Sequence, residues 1–220
     1  MRKRLSIDWK VGYSGSRDEA PEETVAASVP GAVQLDWARA KGWPEYWKSD
    51  NFRAYEWMED RFWTYSARFE KPDLSPDERL AFVCGGVDYA FDVVLNGTVL
   101  LSQTGMHTPV DLDLVEGLAA ENLLQVVVYP IPKLHRDAVN HTQADRSCKP
   151  PVSYGWDWHP RLVPMGIWKD AFLEKRPSLS VSDVSLDYRL SDDFSEARLS
   201  LAVSLSGSAE GGERLRGSLQ

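Results

Sequence analysis

From Phe91 the chain runs Phe-Asp-Val-Val-Leu, turns at Asn96-Gly97, and resumes with Thr98-Val99-Leu100-Leu101. Asn-Gly tolerates the positive φ that a tight primed turn demands, so the segment reads as a β-hairpin. The same period-2 pattern recurs in Trp63-Thr64-Tyr65-Ser66-Ala67-Arg68-Phe69, with apolar and polar side chains on opposite faces. Further strands are predicted over 5–11, 24–28, 79–84, 110–114, 123–129 and 167–173. Short strands at this spacing, separated by turn residues, predict an all-β chain built as an antiparallel sandwich of the jelly-roll kind.

Helix is scarce. Pro30-Gly31 opens a short candidate over 32–40, and Gly42 with Pro44 ends it. Two long irregular stretches, 43–60 and 130–162, are rich in aromatic and charged residues. That composition disfavours disorder, and loops of such length in a sandwich tend to be functional, so both are expected to be ordered binding loops. Past Pro177 the pattern starts afresh, with alternating strands at 181–190 and 197–206 and a partial strand ending at Gln220. Some 40 residues of strand cannot close a core alone. The expected organisation is a sandwich over 1–177 and the incomplete start of a second over 178–220.

The formal charge of −8 and a pI near 5.1 argue against a nucleic-acid footprint. No run approaches the ~20 apolar residues of a membrane span, so no membrane partner is expected. Arg2-Lys3-Arg4 leads into Ser6-Ile7-Asp8-Trp9-Lys10 with no apolar signal region, which reads as a cytoplasmic start. The sequons at Asn96 and Asn140 carry no meaning without secretion. Cys84, behind Leu80-Ala81-Phe82-Val83, is expected to be a small buried hydrophobe; with Cys148 it makes no metal-spaced pair. The histidines at 107, 135, 141 and 159 show no ligand spacing, and no nucleophile elbow supports Ser-His-Asp chemistry. No metal or cofactor is implied.

Nine tryptophans are the oddity: six precede residue 64, and the others lie at 156, 158 and 168. The densest arrangement is Ser153-Tyr154-Gly155-Trp156-Asp157-Trp158-His159-Pro160-Arg161. Glycine and proline there oppose a helix interior, and Pro160 cannot donate to a sheet ladder. The segment reads as a loop presenting indole faces beside a hydrogen-bond acceptor. Sugars need that pairing, since their C–H faces stack on aromatics and their hydroxyls donate to carboxylates.

Several segments together resemble the N-terminal sugar-binding domain of glycoside hydrolase family 2, most closely its β-mannosidase branch. They are Val29-Pro30-Gly31-Ala32-Val33-Gln34-Leu35-Asp36, the 57–65 stretch, the 86–97 hairpin, Gly155-Trp156-Asp157-Trp158 with Pro160-Arg161, and Gly166-Ile167-Trp168. The likeness spans roughly 5–176 and departs at His159, where the mannosidase pattern usually has glycine; an imidazole there narrows or re-polarises the loop. The resemblance implies a modular exo-glycosidase: a galactose-binding-like jelly roll, an immunoglobulin-like sandwich, then a (β/α)₈ barrel carrying two catalytic glutamates of a retaining mechanism. The 178–220 strands would begin the immunoglobulin-like domain, and the catalytic residues would lie outside this chain, which is expected to be inactive alone. It also implies that Asp157 accepts hydrogen bonds from a terminal β-linked sugar, with Trp156 and Trp158 walling the pocket and His159 as a further contact. Expected partners are that carbohydrate and the C-terminal barrel; the face of this chain that would dock the barrel, exposed without it, is expected to support a homodimer.

Plainer readings stand beside these. Asp157 could be a turn residue capping its own backbone. One of Trp156 and Trp158 would stack on substrate or barrel while the other packs inward. Trp168 reads as core or interdomain contact in a strand with Ile167 and Phe172. Glu45, Asp50, Glu56, Glu59 and Asp60 form an acidic run read as a solvated or interdomain face, ion-paired with Arg53 and Arg61. Two other functions remain open: a stand-alone carbohydrate-binding module, and a structural sandwich that only docks its neighbour.

Overall fold

The computed structural model describes residues 2–114, 116–134 and 140–207. Fourteen strands are present among them. One sheet has the order β1 (Lys3–Leu5), β12 (Ala171–Pro177), β5 (Glu78–Cys84) and β9 (Val110–Asp113). The other has the order β3 (Val25–Ala27), β2 (Trp9–Ser14), β4 (Phe62–Glu70), β10 (Glu121–Val128), β7 (Ala90–Leu95) and β8 (Thr98–Thr104). Every pairing in the two sheets is antiparallel. Both sheets send side chains into one core, including Trp9, Val11, Trp63, Tyr65, Leu80, Phe82, Val93 and Val126. The antiparallel sandwich of the jelly-roll kind read from the alternation is the architecture found.

The hairpin at 91–101 forms as expected, with Asn96 and Gly97 at φ of 50° and 84°. Its register slips once, between Val93 and Val94. Asn96 ties the turn to the rest of the sheet: its amide donates to the Asn122 side chain and the Gly117 carbonyl, and its own oxygen accepts from the Leu123 amide. Two predicted strands are broken. The 5–11 run separates into β1 and β2, which belong to different sheets. The 167–173 run separates into β11 (Gly166–Ile167), paired with β6 (Val87–Asp88), and β12. Trp168 therefore sits in a connection rather than a strand, and its indole N–H donates to the Met106 carbonyl at 2.9 Å.

The helix α1 (Val33–Lys41) ends at Gly42 in the left-handed region, φ 63°. The stretch read as irregular at 43–60 contains a 3-10 helix, Asn51–Asp60, and two shorter ones occupy Asn140–Ala144 and Pro151–Tyr154. Tyr13, Trp37, Trp57 and Trp63 clasp one another edge-on or tilted, with centroids 4.8 to 6.1 Å apart, and the Trp63 indole donates to the Met58 carbonyl. Such contacts add to the large area each ring buries, and they seat the 3-10 helix on the sheet. Cys84 is fully buried, as expected, and burial pushes its thiol up to about 11.

Beyond Pro177, β13 (Ser180–Leu190) and β14 (Ala197–Ser206) make an antiparallel ribbon. Val184 opposes Val203, Leu186 opposes Leu201 and Tyr188 opposes Leu199, so the apolar side chains share one face, which is exposed. The partial strand expected towards Gln220 lies outside the described residues.

Candidate functional site

The loop from 150 to 166 is built from its base upward. Gly31 and Val33 donate to the carbonyls of Ile167 and Met165, and the buried Gln34 amide donates to Val163 and accepts from the Met165 N–H. Those bonds explain the Val29-Pro30-Gly31 segment: it is a ladder for the end of the loop. A Cβ on Gly31 would fall 2.2 Å from the Ser28 carbonyl oxygen, so the close approach requires glycine. On the other side Lys149, fully buried, places its ammonium 2.6 Å from Asp88 and 2.7 Å from the Pro164 carbonyl. Burial pushes the Asp88 carboxyl up and the Lys149 ammonium down, and their mutual attraction opposes both.

Arg161 holds the middle of the loop. Its guanidinium grips Glu59 through two nitrogens, at 3.1 and 2.8 Å, and donates to Gln143 at 2.7 Å and to the Tyr154 carbonyl. Lys133 meets the same carboxylate at 2.6 Å and Asp60 at 2.7 Å. The acidic run is thus divided: Glu59 is buried, and its partners are Lys133 and Arg161 rather than the expected Arg53 and Arg61. A bidentate, mostly desolvated pair with extra hydrogen bonds fixes geometry well. It joins the 3-10 helix at 51–60 to the loop more than 100 residues later.

On this base stands a two-residue turn. Trp156 N–H donates to the His159 carbonyl at 2.9 Å and His159 N–H returns a bond at 3.3 Å, leaving Asp157 and Trp158 at the tip. Both indoles are exposed, Trp156 by 37% and Trp158 by 74%. The expectation that one of them packs inward fails: the bridge aims the tip away from the core. The rings instead lie against each other at 5.5 Å, with His141 on Trp156 at 4.1 Å. Asp157 is exposed and makes no hydrogen bond or ion pair among the described residues, so it does not cap its own turn. His159 Nδ1 lies 2.6 Å from the Pro160 carbonyl oxygen. That nitrogen therefore carries a proton, and in the neutral ring Nε2 is left as an acceptor.

The turn borders a groove of about 570 Å³, whose lining also includes Tyr46, Trp47, Ser49 and Phe52. A smaller recess of about 220 Å³ adjoins it, sharing Tyr46, His159 and Leu162. Sequence reasoning named the turn and both loops but not Trp47. Of the six early tryptophans, Trp9, Trp37 and Trp63 are buried, Trp43 and Trp57 half-buried, and Trp47 is 62% exposed. No group of three or more His, Cys, Asp or Glu side chains placed to hold a metal ion occurs among the described residues.

The sequence model described as the glycosyl hydrolase 2 galactose-binding domain-like family matches residues 9–169, and the chain belongs to that family. It is 28% identical over 214 residues to β-mannosidase B of Emericella nidulans, covering 90% of this chain and 25% of that protein. It is 25% identical to the β-mannosidase of Bos taurus, covering 77% of this chain and 21% of that one. Among solved structures, the β-D-mannosidase of Dictyoglomus thermophilum superimposes with a TM-score of 0.69 at 20% identity, over 94% of this chain and 26% of that chain. An uncultured Clostridium sp. β-glucuronidase does so at 0.60 and 18%, over 93% and 34%. The chain spans about a quarter of the length of the curated relatives it matches.

Proposed function

We propose that this chain is the substrate-pocket domain of a β-mannosidase-like exo-glycosidase, and that the turn at 156–159 forms one wall of the subsite for the terminal sugar. The observation that carries the reading is Asp157: a carboxylate without a partner among the described residues, at the tip of a pinned turn, between two exposed indoles. A carboxylate there accepts hydrogen bonds from sugar hydroxyls, and the indole faces take the C–H surface. Asp157 binds and orients; the acid/base and nucleophile of a retaining mechanism would come from a barrel outside these residues. The ribbon of β13 and β14 would begin the second sandwich between the two.

The test is kinetic. In the complete enzyme Asp157→Ala lowers kcat/KM for an aryl β-mannoside by about 1–3 kcal/mol, the size of a hydrogen bond to a charged group. Asp157→Asn, which keeps one acceptor oxygen, loses less. Wild-type kinetics in Asp157→Ala would return the residue to a mere turn position. The 220-residue chain alone shows no turnover of the same substrate, and measurable hydrolysis by it would overturn the division of labour.

A further inference from the structure

The groove beside the turn has a second aromatic wall that the proposed terminal-sugar subsite does not use. Trp47 is among the most exposed large apolar side chains of the sandwich. Its segment is nonetheless tightly held. The Tyr46 ring meets the Trp47 indole edge-on at 5.0 Å and 89°, and the Tyr55 hydroxyl donates to the Pro44 carbonyl. The Asn51 amide donates to the Glu45 carbonyl at 2.9 Å, and Glu45 is ion-paired with Lys48. An exposed indole on a pinned segment presents a ready-made face and needs little ordering when a ligand arrives.

Two separate segments bring indoles to the lining of one groove, Trp47 from the 46–52 stretch and Trp158 from the turn, and Asp157 and His159 belong to the same lining. The volume of about 570 Å³ lies within the ~300–1,000 Å³ of pockets that take drug-sized ligands. The lining supplies indole faces from two segments, one carboxylate, and an imidazole whose Nδ1 is already committed to Pro160. Hydroxyl-rich rings with flat C–H faces match that set; a purely apolar ligand would leave Asp157 facing it unpaired.

From this arrangement we infer that the groove binds a β-linked oligosaccharide across at least two rings, with Trp47 stacking on a ring beyond the one held at Asp157 and Trp158. The inference rests on the proposed reading of the 156–159 turn. Trp47 then discriminates chain length, and His159 Nε2 accepts a hydroxyl between the two positions.

The experiment follows the indole N–H signals of the 220-residue chain by ¹H–¹⁵N NMR, with Trp47 and Trp158 assigned through Trp47→Phe and Trp158→Phe. The probes are matched pairs, methyl β-glycosides and β-1,4-linked disaccharides of mannose, glucose and galactose. The expected result is that at least one disaccharide moves both signals, whereas its methyl glycoside moves Trp158 and leaves Trp47 in place. Trp47→Ala then cuts the preference for that disaccharide over its monosaccharide by about 2- to 10-fold, the range of one aromatic contact. If Trp158 responds and Trp47 never does, or Trp47 responds equally to both members of a pair, the two-ring inference is overturned while the reading of the turn stands. If neither indole responds to any probe, the reading of the turn fails and takes the inference with it.

Discussion

Lys149→Met offers the sharpest test of how the loop is founded. The wild-type ammonium has no exposure and is 2.6 Å from an Asp88 carboxylate that is itself buried. Removing it strands the carboxylate, and breaking a buried pair this way costs about 3–5 kcal/mol. The carboxylate can escape by taking up a proton. From its ordinary value of 3.8, protonation at pH 7 costs about 4 kcal/mol, at roughly 1.36 kcal/mol per unit. That sets a ceiling within the same range. The sign follows: burial raises the folded-state Asp88 once its partner is gone, so the variant's stability is greatest below the unfolded value and declines as pH rises. The deficit relative to wild type should therefore shrink by about 2–3 kcal/mol between pH 7 and pH 5. Urea unfolding followed by tryptophan fluorescence at both pH values measures it. The double variant Asp88→Asn/Lys149→Met should recover most of the loss at pH 7, because no charge is left buried. A deficit that stays constant from pH 5 to pH 7 would refute the reasoning and leave only a packing defect.

Other outcomes follow from the same geometry. Gly166→Ala should destabilise the fold by about 3 kcal/mol or more in thermal melts, since its φ is +132° and a Cβ would lie 2.3 Å from the Tyr65 hydroxyl. Arg161→Ala should lower the affinity for any sugar bound at the turn more than Arg161→Lys does, because Lys keeps the charge on Glu59 but not the fork; titration of the two variants measures the difference. Glu78, held by Lys175 and Ser75, should titrate by NMR near pH 2. Its contribution to stability is present above the ordinary carboxylate range and is lost as pH falls towards 2; Lys175→Ala should move that midpoint up towards 4.5.

The sandwich was legible because alternation survives wherever one face of a strand is buried. Asn96-Gly97, β4 and the ribbon at 180–206 all announce themselves locally. The break at 6–8 did not, because the alternation Leu5-Ser6-Ile7-Asp8-Trp9 runs across it while the chain changes sheets; at 168–170 the adjacent charges of Lys169 and Asp170 were the only local mark of the change. At the site, the turn was legible from its indoles, its carboxylate and its flanking Gly155 and Pro160. Its supports were not. Glu59 meets Arg161 across 102 residues, and Lys149 meets Asp88 across 61, distances at which no local pattern carries information. Trp47 was hidden differently: within a cluster of six tryptophans, only packing separates the one left outside from those in the core.

The bridge between Trp156 and His159 has a practical consequence for anyone reshaping this molecule. Both backbone bonds that define the turn belong to its two base residues, so positions 157 and 158 can be randomised as a small display library without removing a donor or acceptor of the bridge. Twenty residue types at each of two codons is a collection that can be screened exhaustively, and a change of sugar preference selected from it would map to the tip alone.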